Sequence, residues 1–82
     1  MKKVGIIGYG RFGIVLADLL SKKYKVLITD SNADKNDEID FSSLEEILEC
    51  FLVFIAVPIN SFELVIKEIS KYELYNTTIV DV

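Results

Sequence analysis

Apolar residues are distributed along this chain in two textures. Blocks of adjacent apolar residues in KVGIIG (3–8), KVLITD (25–30), FLVFIAV (51–57) and TTIVDV (77–82) alternate with segments where apolar residues return every three or four places. Blocks of this length predict strands buried on both faces, whereas the wider spacing predicts helices with one apolar side. Phe12, Val15, Leu16 and Leu19 make such a stripe, which is expected to face the sheet. Leu44, Ile47 and Leu48 make a shorter one, reaching about Glu49. It is opened by Ser42 with Glu45 three residues on, the spacing of a capping box. Phe62, Val65, Ile66 and Ile69 mark a third helix to about Tyr72, opened in the same way by Asn60 and Glu63.

Strands joined through helices form βαβ units, whose strands run parallel and whose crossovers are right-handed. The expected architecture is therefore α/β, an open parallel Rossmann-like sheet with helices on both faces. Residues 31–40, SNADKNDEID, are polar and too few for a full crossover helix. A brief vestigial strand at 39–41 is expected there, making the spatial order 3-2-1-4-5 with 39–41 at the edge. Eighty-two residues make one domain. The apolar last strand, with no helix after it, leads us to expect a fragment of a longer enzyme, covered there by further chain or by a second copy.

Composition narrows the chemistry. The net charge is −4, from 9 basic and 13 acidic residues, and the lysines are scattered in sequence without interleaved aromatics, which argues against a nucleic-acid partner. One cysteine and no histidine rule out an internal disulfide, a zinc site of the usual ligands and a Cys-His nucleophile. Cys50 beside FLVFIA reads as a buried, reduced thiol, as in a cytoplasmic protein. The run from Cys50 to Ile59 is far short of the ~20 residues a membrane span requires, so no membrane partner is expected.

All four glycines fall between Gly5 and Gly13. Within GYGRFG, Gly8 ends a strand and Gly13 lies in the first turn of a helix, while Asp30 closes the next strand about 20 residues further on, which is the dinucleotide-binding fingerprint. Each position has a mechanical role. Gly8 permits the tight turn, Gly10 lets main-chain amides at Tyr9, Arg11 and Phe12 approach a pyrophosphate, and Gly13 brings helix and sheet together. The helix N-terminus attracts an anion and Arg11 adds a full charge. Asp30, followed by Ser31, is expected to accept hydrogen bonds from the adenosine ribose hydroxyls, and its charge opposes a 2′-phosphate, so NAD is expected over NADP. Ala56, Val57 and Pro58 end the 51–57 strand on the other side of the switch point, beside the nicotinamide half, with Asn60 and Ser61 opening the next helix over the same crevice.

GIIGYGRFG, the strand ending in TD, SSLEEIL, FIAVP and TTIVDV together resemble the N-terminal half of prephenate and arogenate dehydrogenases, within the wider 6-phosphogluconate-dehydrogenase-like group. The resemblance covers nearly the whole chain except 31–40. It implies the NAD-holding part of an enzyme that oxidatively decarboxylates its substrate in tyrosine biosynthesis. In that family the catalytic histidine and substrate-binding arginines lie in a following helical domain, so no catalytic residue is expected here. Three other readings remain: another oxidoreductase of the same broad group, a nucleotide-sensing domain like those gating potassium transporters, and a degenerate fold that makes only protein contacts.

Overall fold

The computed structural model describes residues 2–30, 41–74 and 76–82. Seven elements follow in order: β1 (Lys3–Ile7), α1 (Arg11–Leu20), β2 (Lys25–Thr29), α2 (Leu44–Ile47), β3 (Leu52–Ile55), α3 (Ile59–Ile69) and β4 (Thr78–Asp81). The strands form one parallel sheet in the order β2-β1-β3-β4, with Ile7 opposite Thr29 on one side and Ile55 on the other. The α/β architecture is thus the one expected, but with four strands rather than five among the described residues. Residues 39 and 40 lie outside the described set, and Phe41 belongs to no strand. A bond from Ser42 N–H to the Ile28 carbonyl at 2.7 Å lays the chain against β2 before α2 begins.

Side chains on alternate positions of β1 serve opposite faces. Val4 and Ile6 are fully buried on the side of α1, whose Gly13 stands over Ile6. Ile7 turns the other way, into a core of Ile47, Leu48, Cys50, Val53, Ile55 and Ile69 under α2 and α3. Gly5 shares that face, and a Cβ there would lie 2.8 Å from Ile47 Cγ2 and 3.2 Å from its carbonyl oxygen, so α2 rests almost on the β1 backbone.

The apolar side of α1 differs from the expected one. Phe12, Val15 and Leu19 are 54%, 54% and 57% exposed, while Gly13 and Ala17 are buried with Leu16 and Leu20 partly covered. The stripe 13-16-17-20 has the same helical spacing as the one weighted by large residues. It wins because small side chains let the helix axis approach the sheet. Since α1 packs on β1 and β2, Leu52, Phe54 and Val80 remain only half-buried on this face. The expectation that the 51–57 strand is fully covered on both faces therefore fails on the α1 side.

The helix starts also move. α2 is capped by Ser43 and not Ser42: the Ser43 hydroxyl accepts from the Glu46 N–H at 3.2 Å, and the Ser43 N–H donates to Glu46 Oε1 at 3.0 Å. Ser42 is committed to its bond with β2, so the next Ser-x-x-Glu frame takes the cap. α3 begins at Ile59 with Pro58 at its N-cap, placing Asn60 and Ser61 inside the first turn rather than before it. Pro58 is suited to that entry because its fixed φ starts the turn and no N–H is lost from the helix. At the far end, Asn76 adopts φ 57°, a left-handed turn residue, and the Thr77 hydroxyl donates to the Leu48 and Cys50 carbonyls at 3.0 and 2.8 Å, latching the start of β4 to the α2–β3 link. Among the described residues no helix is long and apolar enough to cross a membrane, and no cluster of three or more His, Cys, Asp or Glu side chains could hold a metal ion.

Two measurements test this packing. Gly5→Ala is expected to destabilise the chain by about 1–3 kcal/mol in urea unfolding, as overpacking at a backbone contact does. Hydrogen bonds from Ser43 hold the Glu46 carboxyl below its ordinary value, so its contribution is present above the unfolded carboxylate value and is lost as pH falls through the lower folded one. Glu46→Gln is expected to abolish that part of the acid sensitivity, seen as a stability difference from the unsubstituted protein that narrows with acidification.

Candidate functional site

Where β1 ends, the chain turns sharply into α1 above the carboxyl edge of the sheet. The Gly8 N–H still donates to the Thr29 carbonyl at 2.8 Å, carrying the β1–β2 ladder one residue past the strand. Gly8 itself has φ 108°, a conformation L side chains rarely adopt, and a Cβ there would collide with the Ala56 carbonyl of the neighbouring chain segment. A Cβ on Gly13 would collide with the Gly8 carbonyl. Gly8 and Gly13 are therefore glycine because of the fold itself.

Gly10 is different. Its φ of −82° and ψ of −161° suit any residue, and a Cβ there would meet nothing within 4 Å. The protein's own packing gives no reason for glycine at this position, so the open space in front of it is suited to something from outside. Gly10 is also the N-cap of α1, and no side chain caps that helix.

Helix starts differ around the molecule in a way that follows the sheet edge. α1 and α3 begin at the carboxyl ends of β1 and β3, and both lack a side-chain cap and any acidic residue in the first turn. α2 has a full capping box with Glu45 and Glu46 in its first turn. A helix start with no side-chain cap and no acid in its first turn favours an anion at α1, where Arg11 stands at the first helical position.

These elements enclose a cleft of about 470 Å³. Six of the expected site residues line it: Gly8, Gly10, Asp30, Ala56, Val57 and Pro58. Arg11 and Phe12 are exposed on α1 outside that lining, and Gly13 is buried behind it against Gly8. Tyr9 has its ring against Phe41, centroids 5.9 Å apart and nearly perpendicular, and contributes its backbone, donating its N–H to Asp30 Oδ2 at 2.5 Å. Ser31 lies outside the described residues. Reading by motif misses Ile7, Leu64 and Val65, which also line the cleft. Leu64 carried a signal: it falls off the stripe of α3 and is 64% exposed, an apolar residue with no packing reason for its place. Asn60 does not line the cleft, whereas Ser61, one residue later in the turn, does.

The residues present fit a dinucleotide, on the ground that Gly10 keeps a space the fold does not use. Fold and cleft together have the layout of a Rossmann-like dinucleotide-binding domain, and the comparisons with known proteins make it an NAD(P)-dependent oxidoreductase domain. The chain belongs to the family described as "NADP oxidoreductase coenzyme F420-dependent", which matches residues 3–82. It is also 47% identical over 58 residues to a glycerol-3-phosphate dehydrogenase [NAD(P)+] of Sulfurimonas denitrificans. That alignment covers 71% of this chain and 19% of the relative, so the chain spans about a fifth of that enzyme's length. No solved structure matches. Neither comparison supports the narrower resemblance to prephenate dehydrogenase.

Two glycine substitutions separate folding from binding. Gly13→Ala is expected to cost about 3 kcal/mol or more, because its neighbour is backbone and cannot yield. Gly10→Ala is expected to leave urea stability within about 0.5 kcal/mol while lowering dinucleotide affinity about tenfold or more, corresponding to about 1.4 kcal/mol of steric conflict.

Proposed function

We propose that this chain is the NAD-binding part of a dehydrogenase acting on a phosphorylated polyol or its keto form, in the manner of the glycerol-3-phosphate dehydrogenase it is similar to. The observation that carries the binding role is the unfilled space at Gly10 before the uncapped start of α1. Pyrophosphate rests on the amides of Gly10, Arg11 and Phe12, with the Arg11 guanidinium nearby. Asp30 accepts from the adenosine ribose hydroxyls, and its negative charge disfavours the 2′-phosphate of NADP. Ser31 belongs with it on sequence grounds. Ala56, Val57 and Pro58 form the wall for the nicotinamide half, which supplies the carbon that accepts hydride when the cofactor is bound.

Substrate groups and the proton-accepting base belong, in this reading, to residues outside these 82, in a further domain or a second copy. The buried thiol of Cys50 agrees with a reducing, cytoplasmic setting. The prephenate or arogenate reading rests on GYGRFG with TTIVDV and gains nothing from the relatives. The transporter-type sensing reading gains nothing from them either.

Calorimetric titration decides the proposal. NAD and ADP-ribose are expected to bind, and NADP at least about tenfold more weakly, the equivalent of about 1.4 kcal/mol from one opposed charge. Absence of binding by all three refutes the cofactor role, and preference for NADP refutes the part assigned to Asp30.

A further inference from the structure

The carboxylate of Asp30 touches the glycine turn as well as the cleft. Gly8 N–H has the Thr29 carbonyl as its acceptor, but the next donor, Tyr9 N–H, has left the ladder and takes Asp30 Oδ2 instead, at 2.5 Å. The side chain thus extends the β1–β2 ladder by one bond into the turn that presents Gly10. From the opposite side the turn is held by the Ala56 carbonyl against Gly8, and from above by Gly13 against the Gly8 carbonyl. Tyr9 is held a second time through its ring, which meets Phe41, a residue tethered next to β2 by the Ser42–Ile28 bond. Without the Asp30 contact, the β2 side of the turn would be secured by the Gly8–Thr29 bond and the Phe41 ring.

We propose that Asp30 is a positioning residue for the phosphate-binding turn, holding Tyr9 N–H so that Gly10 and the first amides of α1 stand ready for an anion before any ligand arrives. This deepens the dinucleotide reading and rests on it. A carboxylate can accept several hydrogen bonds, so the same group serves the turn and a ribose together. It follows that changing cofactor preference by replacing Asp30 with a small residue disturbs the pyrophosphate end of the site as well as the ribose end.

The test uses inorganic pyrophosphate, which has no ribose to read. Asp30→Asn and Asp30→Ala remove the same negative charge, which alone raises affinity for an anion equally in both. Only the asparagine keeps an acceptor for Tyr9 N–H, so the difference between the two isolates the positioning role. Pyrophosphate is expected to bind the Asn variant about tenfold more tightly than the Ala variant, the scale of one hydrogen bond at a partly buried site. Amide hydrogen exchange at Tyr9 is expected to quicken in the Ala variant and stay protected in the Asn variant, while Ile6 and Ile28 remain slow in both, showing the sheet intact. Equal pyrophosphate affinity in the two variants, or unchanged Tyr9 protection in Asp30→Ala, overturns the proposal. Failure of the unsubstituted protein to bind NAD overturns the cofactor reading alone, because the exchange comparison decides the Asp30–Tyr9 contact without a ligand.

Discussion

The structure depends on main chain meeting main chain at the Gly8–Gly13 crossing. There the first turn of α1 lies directly on the Gly8 carbonyl, with no side chain between them, while Gly8 itself lies against the Ala56 carbonyl. This close approach fixes several things together. It sets how deeply α1 sinks onto Val4 and Ile6, and it decides which stripe of the helix is buried. It also aims the helix's positive end at the gap between β1 and β3. A larger residue at either glycine would lift the helix and turn its amides away from the cleft. The apolar exposure of Phe12, Val15 and Leu19 follows from the same contact: once the two small residues Gly13 and Ala17 are against the sheet, the bulky ones must face elsewhere.

Strands and their neighbours were largely legible in the sequence because VGIIG, KVLIT, FLVFI and TIVD each hold a block of adjacent apolar residues, and a βαβ connection allows few orders. Strand ends were less so, since Val57 and Thr77 are apolar or β-branched yet fall just beyond their strands. On α1 the close approach of Gly13 was legible, but Phe12, Val15 and Leu19 were misplaced onto the buried face because hydrophobicity weights large residues heavily, although burial here is decided by size. The α2 cap was misread by one residue because SSLEE satisfies the capping pattern in two frames, and the choice was made by a tertiary bond from Ser42 to β2 that no local pattern contains. That Gly8, Gly10 and Asp30 meet at one cleft could be read from spacing, because the turn after β1 and the end of β2 lie side by side in a βαβ unit. Leu64 was missed because a lone apolar residue on the wet side of a helix looks like noise until the opposite wall of the cleft is in place.

In the proposed role a protein of net charge −4 receives a dianionic diphosphate, and it must then separate its local field from its overall one. Glu45 and Glu46 lie in the first turn of α2, whereas the first turns of α1 and α3 carry none. Screening over roughly 8–10 Å at physiological salt makes this local arrangement count for more than the total. Within that radius an anion at Gly10 meets the uncapped start of α1 and the Arg11 charge, with Asp30 as the acid lining the cleft. The Asp30 carboxylate accepts from a main-chain donor, Tyr9 N–H, which offsets part of its charge. A carboxylate engaged this way repels a neighbouring phosphate less than a bare one, while it remains an acceptor for hydroxyls. In the proposed role the sheet edge holds an acid for the sugar beside an anion site for the phosphates, and that juxtaposition requires the turn between them to be pinned to both strands.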